Sequence, residues 1–136
     1  MEKIHVNTVI ASSLSHVWDC FTNPMYVTGW NFASSEWYCP TAKNDLVIGG
    51  RFSYRMASID GCMGFDFEGT FTEIQPVSLL QYRLDDDRMV DVLFEERPEG
   101  VLVSEAFDAE LINSIDMQKA GWQAILDNFK AYCEKK

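Results

Sequence analysis

The chain has 136 residues, 47% of them hydrophobic and 24% charged, which is the size and composition of one ordered globular domain over 1–136 and excludes a disordered segment. Its net charge of −10 comes from 21 acids against 11 bases, with no basic run beyond Lys135-Lys136, so nucleic acid and anionic membrane surfaces are excluded as partners. Aromatics reach 13%, bulky rigid surface that suits either a lined cavity or a merely aromatic-rich core.

The opening residues MEKIHVNTVIASS place no long apolar run behind a basic segment, so no secretion signal is expected. No stretch of about 18 apolar residues predicts a membrane span, and a cytoplasmic location is expected. Ile4, Val6, Thr8 and Ile10 alternate with His5 and Asn7, predicting a first strand. Ser13 or Ser15 caps a helix on which Leu14, Val17, Trp18 and Phe21 share a face. Asn23-Pro24 ends it and starts a second short helix. The aromatic stretch WNFASSEWYCPTAKNDL reads as irregular, with a short strand near Trp37.

Strands then follow one another. RFSYRMAS sets Phe52, Tyr54 and Met56 on one face, and Asp60-Gly61 turns the chain. FDFEGTFTEI puts Phe65, Phe67 and Phe71 on one face, with Gly69 predicting a bulge or sharp bend. LLQYRLDD, MVDVLFEERP and GVLVSEAFDAE supply three more, joined by turns short enough to force antiparallel pairing. Asn113 or Ser114 caps a long last helix whose apolar face carries Ile115, Gln118, Trp122, Ile125, Leu126, Phe129 and Cys133. Gly121 costs that helix about 1 kcal/mol against alanine, and a close approach to the sheet or a loop would explain it.

The inward faces nominate a cavity wall. Trp18 and Trp30 come from the helical region; Phe52, Tyr54, Met56, Phe67 and Phe71 come from the first two long strands after it. Tyr82, Phe94 and Phe107 come from the later strands, and Trp122, Leu126 and Phe129 from the last helix. Such residues either line a ligand-sized space or fill the core themselves. Glu105 shares parity with Val101, Val103 and Phe107, so an inward Glu105 needs a partner or keeps a proton; a bulge turning it out to solvent is the alternative. Gln118 sits on the apolar helix face, or near water in the first turn. Arg51 and Arg55 face Asp66 and Glu68 as outer ion pairs. The cysteines Cys20, Cys39, Cys62 and Cys133 are scattered and form no CxxC, so neither a zinc site nor any other cofactor is expected. No nucleophile elbow or phosphate-binding loop is present.

The element order and the stretches VWDCFTNP, NDLVIGGRFSYRM, GFDFEGTFTEIQP, VSEAFDAE and GWQAILDNFKAYCE, with the Trp30 region between the first two, resemble the START-like (SRPBCC) superfamily. The similarity is nearest to homologues of the C-terminal domain of the activator of the heat-shock-protein-90 ATPase, among small bacterial single-domain members. That resemblance implies an α+β helix-grip fold: six or seven antiparallel strands curved around the long C-terminal helix, with two short helices after the first strand. It implies a cavity between them for a hydrophobic or amphipathic small molecule. Two alternatives stand beside it: a protein-interaction module engaging a chaperone or other protein, and a cyclase or dehydratase with Glu105 and a tyrosine as acid–base pair. Binding rather than catalysis is the leading expectation, in a monomer or homodimer.

Overall fold

The computed structural model describes residues 2–136. Its elements run β1 (Lys3–Ile10), α1 (Leu14–Thr22), α2 (Pro24–Val27), β2 (Trp37–Tyr38), β3 (Ala42–Asn44), β4 (Arg51–Ser58), β5 (Gly64–Gln75), β6 (Leu79–Leu84), β7 (Met89–Arg97), β8 (Gly100–Asp108) and α3 (Ile115–Lys135). The sheet is antiparallel in the order β1-β8-β7-β6-β5-β4-β2, seven positions, with β3 also paired to β4 further along. This is the curved sheet and long C-terminal helix expected of the helix-grip arrangement.

Period-two burial shapes the sheet. Ile4, Val6 and Ile10 in β1, Val90, Val92 and Phe94 in β7, and Val101, Val103, Glu105 and Phe107 in β8 all point to the concave side. The opposite face carries the ion pairs read from the sequence: Arg55–Asp66 at 3.3 Å and Arg51–Glu68 at 3.9 Å, with Arg51 also holding Asp85 at 2.6 Å. Ser13 caps α1 through its hydroxyl, which accepts the His16 N–H, and Asn23 caps α2 by accepting from Met25. Ser114 caps α3 by accepting from Met117. Ile115, expected on the buried face of α3, lies at its exposed start.

Two sequence expectations shift. The irregularity in β5 falls between Phe71 and Glu73, not at Gly69. Gly69 is instead a close-approach position, since a Cβ there would lie 2.6 Å from the Arg83 carbonyl oxygen and 2.8 Å from the Phe52 ring. The second change is β3, whose sequence AKN carries no alternating apolar signal; pairing with β4 alone makes it a strand.

The far half of α3 is tied to the edge strand β1. Gln123 Nε2 donates to the Asn7 carbonyl at 3.0 Å and Lys130 Nζ to the Val9 carbonyl at 2.6 Å. Glu134 accepts the Ala11 N–H at 2.9 Å. Beneath these bonds Leu126, Phe129 and Cys133 are buried with Phe21 and Trp30. Asn128 adds a bond to the Trp30 carbonyl at 2.8 Å, fixing the segment after α2 against the helix.

Candidate functional site

The far half of α3 fills its share of the concave face, but the first half does not. Between it and strands β4, β5, β6 and β8 lies a cavity of about 390 Å3. That volume sits toward the lower end of the roughly 300–1,000 Å3 taken by small-molecule pockets. Phe52 is the hub of the strand wall, with ring centroids 5.1 Å from Tyr54, 5.8 Å from Phe67, 5.3 Å from Phe71 and 4.9 Å from Tyr82. Trp122 forms the helix wall, stacked on Phe107 at 3.8 Å and meeting Phe67 edge-on at 6.0 Å. The exposed members of the lining, Ala33, Phe65, Asn113 and Met117, mark the mouth.

Ten of the fifteen sequence-nominated residues line this space: Trp30, Phe52, Tyr54, Met56, Phe67, Phe71, Tyr82, Glu105, Gln118 and Trp122. Five do not. Trp18 packs edge-on against Phe94 at 5.1 Å under α1, so both belong to the core. Phe107 is fully buried behind Trp122 and backs the wall without reaching the cavity. Leu126, like Phe129, lies in the filled half beneath α3. Strand parity and helix phase tell which face a residue takes, not how far along that face the filling stops.

Glu105 faces inward and is only 8% exposed. Burial pushes its carboxyl up to about 8, and no hydrogen bond or nearby charge offsets that. Among the described residues no buried side-chain polar atom is sealed off without a partner; the Glu105 carboxyl opens onto the cavity. Tyr82, on β6, has its hydroxyl pushed well above the usual range by burial and by the Glu105 charge. Tyr54, held up to about 12 mainly by burial, accepts a hydrogen bond from Asn44 at 3.0 Å. Gln118 is a strut: its carbonyl accepts the Glu110 N–H at 2.8 Å, and its amide donates to the carbonyls of Asn113 at 2.8 Å and Glu110 at 3.2 Å. It holds the loop between β8 and α3.

Sequence reasoning missed Asn31, a loop residue with no periodic signal, which is 7% exposed and lines the cavity. It also expected Gly121 to mark a close approach. A Cβ there would meet nothing within 4 Å, and Gly121 lines the cavity. The missing side chain leaves space rather than permitting contact.

The cysteines are less scattered than their spacing implied. His16 and Cys20, one turn apart on α1, meet Cys133 of α3, with one donor atom from each within 4.8 Å of the others. His16 Nε2 lies 3.5 Å from Cys20 Sγ and 3.1 Å from the Cys133 carbonyl oxygen. Burial raises both thiols, that of Cys133 to about 12, so at neutral pH they are protonated and hydrogen-bonded. The donor types suit a soft or borderline metal, yet the raised thiols and the ring's contact with a carbonyl describe a satisfied polar cluster.

The family described as Activator of Hsp90 ATPase homolog 1-like protein matches residues 11–134. The solution structure of an AHSA1-like protein from Aeromonas hydrophila is 45% identical, with a TM-score of 0.93 over 98% of this chain and 93% of that one. A protein from Cytophaga hutchinsonii, also solved in solution, is 38% identical with a TM-score of 0.84, covering 98% of this chain and 92% of its own. A crystal structure from Chromobacterium violaceum shares the fold at 19% identity and a TM-score of 0.88, over 98% of this chain and 99% of that one. No curated protein is similar enough to match. With its helix-grip architecture and a family match over nearly its whole length, the chain belongs to the activator of Hsp90 ATPase homolog 1-like family.

Proposed function

We propose that the protein binds a hydrophobic or amphipathic small molecule in the cavity between the curved sheet and α3. One observation carries this reading: a space of about 390 Å3 walled by aromatic rings and holding three uncommitted polar groups, Glu105, Asn31 and the Tyr82 hydroxyl. An apolar wall with a few placed polar groups is how small-molecule sites combine affinity with orientation. The intact mass of protein purified from its native host, taken under native and then denaturing conditions, tests it. An extra mass lost on denaturation is expected. A bare mass, together with unchanged tryptophan fluorescence across a panel of amphiphiles, would overturn it.

A second reading makes the same site a cyclase or dehydratase, favoured by the Glu105 carboxyl held near neutrality beside Tyr82. Chemical change of the extracted ligand by wild type but not by Glu105→Gln would support it, and an unaltered ligand would exclude it. The exposed Leu111, Ile112 and Met117 near the mouth favour a protein-interaction module as a third reading. A chaperone that binds wild type but not Leu111→Ser would bear that out; equal binding would count against it. Among the described residues no helix is long and apolar enough to cross a membrane. We place the protein in the cytoplasm, where its thiols stay reduced.

A further inference from the structure

Resting on the cavity reading above, we infer that the occupant carries a protonated amine, seated on the Glu105 carboxylate with its hydrocarbon body against the aromatic walls. The polar groups of the wall are largely spoken for. Gln118 holds the loop after β8, Glu110 is bonded to Asn113, and Arg88 is paired with Asp86 at 2.8 Å. The Tyr54 hydroxyl already accepts from Asn44. The Asn31 amide and the Tyr82 hydroxyl are unbonded but carry no charge, and among the described residues Glu105 is the one deeply buried acid of the wall with nothing to pair with.

Three ligand chemistries fit an amphipathic cavity: cationic, neutral and anionic heads. An anion would enter a protein of net charge −10 in which Arg88, the one cavity-lining cation among the described residues, is already paired. A neutral alcohol would hydrogen-bond Glu105 but gain nothing from the ring faces. An ammonium gains twice. It pairs with the carboxylate, and it is attracted by the faces of Trp30, Tyr82 and Trp122, which belong to the same lining. A buried carboxyl that keeps its proton when the cavity is empty loses it on forming this pair, so binding releases one proton.

The groups that bear on that proton are Tyr82 of β6, Tyr54 of β4, Arg88 before β7 and Glu110 after β8. The backbone neighbours of Glu105 are Val6 on β1 and Val92 on β7, and α3 presents Gln118 and Trp122. None of these last four titrates. The amine itself, with a pKa of about 10 like a lysine, stays charged through the range in which Glu105 ionises.

The test uses three probes of equal chain length, n-octylamine, 1-octanol and octanoate, followed by tryptophan fluorescence on the whole protein. At pH 8 octylamine should bind about tenfold or more tighter than octanol, and octanoate most weakly. Between pH 6 and 8 octylamine affinity should rise towards about tenfold per unit while octanol stays flat. Glu105→Gln should erase the amine's advantage and its pH slope while octanol still binds, which shows the cavity intact. Octylamine binding no tighter than octanol, or octanoate binding best, overturns the inference and leaves the cavity reading standing. Binding of none of the three overturns both. The wild-type comparison of head groups decides the matter even if the variant fails to fold.

Discussion

Replacing Gly121 by alanine adds one methyl to the middle of α3, pointing into space where nothing lies within 4 Å. Glycine costs a helix interior about 1 kcal/mol against alanine, so Gly121→Ala should recover roughly that amount. No opposing cost arises, because the new carbon meets neither backbone nor ring. For a chain of this length the gain corresponds to a rise of about 3–5 °C in Tm. Thermal unfolding followed by circular dichroism measures it directly. The methyl also occupies cavity volume, so binding of a probe such as 1-octanol should weaken in the same variant. The bulkier Gly121→Leu should keep the fold and abolish probe binding. A fall of about 1 kcal/mol for Gly121→Ala would refute the reasoning, since it would mean the helix needs a bare backbone there for contact.

Glu105 makes stability depend on pH with a definite sign. Folding raises its carboxyl to about 8, whereas the unfolded chain ionises near the ordinary carboxylate value of about 4.3. The stabilisation is therefore complete below the unfolded value and is lost as pH rises to about 8, by up to ~1.4 kcal/mol per unit. Urea midpoints for Glu105→Gln should exceed those of wild type by a margin that widens from pH 5 to 8 and then levels; parallel profiles would count against a buried, unpaired acid. Gln118→Ala should cost about 2–3 kcal/mol by stripping partners from the Glu110 N–H and the loop carbonyls, with faster hydrogen exchange at Glu110 as the readout. Unchanged exchange would exclude the strut role. Val77 holds a φ of 59° after Pro76, a conformation that strains a β-branched residue, so Val77→Asn should raise the unfolding free energy by about 1 kcal/mol and move the urea midpoint up. A lower midpoint would mean that Val77 packing outweighs the strain.

Alternation alone brought Glu105 to the right face, because a strand has only two faces and Val101, Val103 and Phe107 declare which is buried. The same rule nominated Phe94 and Phe107, and helix phase nominated Leu126, all residues that face inward yet never reach the cavity. What separates them is position along the concave face. The segment after α2, the far half of α3 and α1 together fill one part and leave the other empty. That boundary is set by distant segments meeting, which no local period records. Asn31 eluded sequence reading for the same reason, as did the meeting of His16 and Cys20 with Cys133 over a separation of more than a hundred residues. Gly121 was visible as an anomaly, but a glycine that makes contact and one that makes room look alike in a sequence.

An open sheet has two raw margins, and each unpaired strand offers a template on which another chain can add. Here each margin is interrupted. On one side the backbone of β1 has its outward Asn7 and Val9 carbonyls and the adjoining Ala11 N–H bonded to Gln123, Lys130 and Glu134 of the helix. On the other, β4 is bordered by two short pieces, β2 and β3, with Pro40 between them, so no long uninterrupted ladder remains. A fold that leaves part of its interior hollow gives up packing that would otherwise oppose partial unfolding. Interrupting both margins works against edge-to-edge assembly during such excursions, and the hollow can persist in a concentrated solution without the chain becoming a nucleus for aggregation.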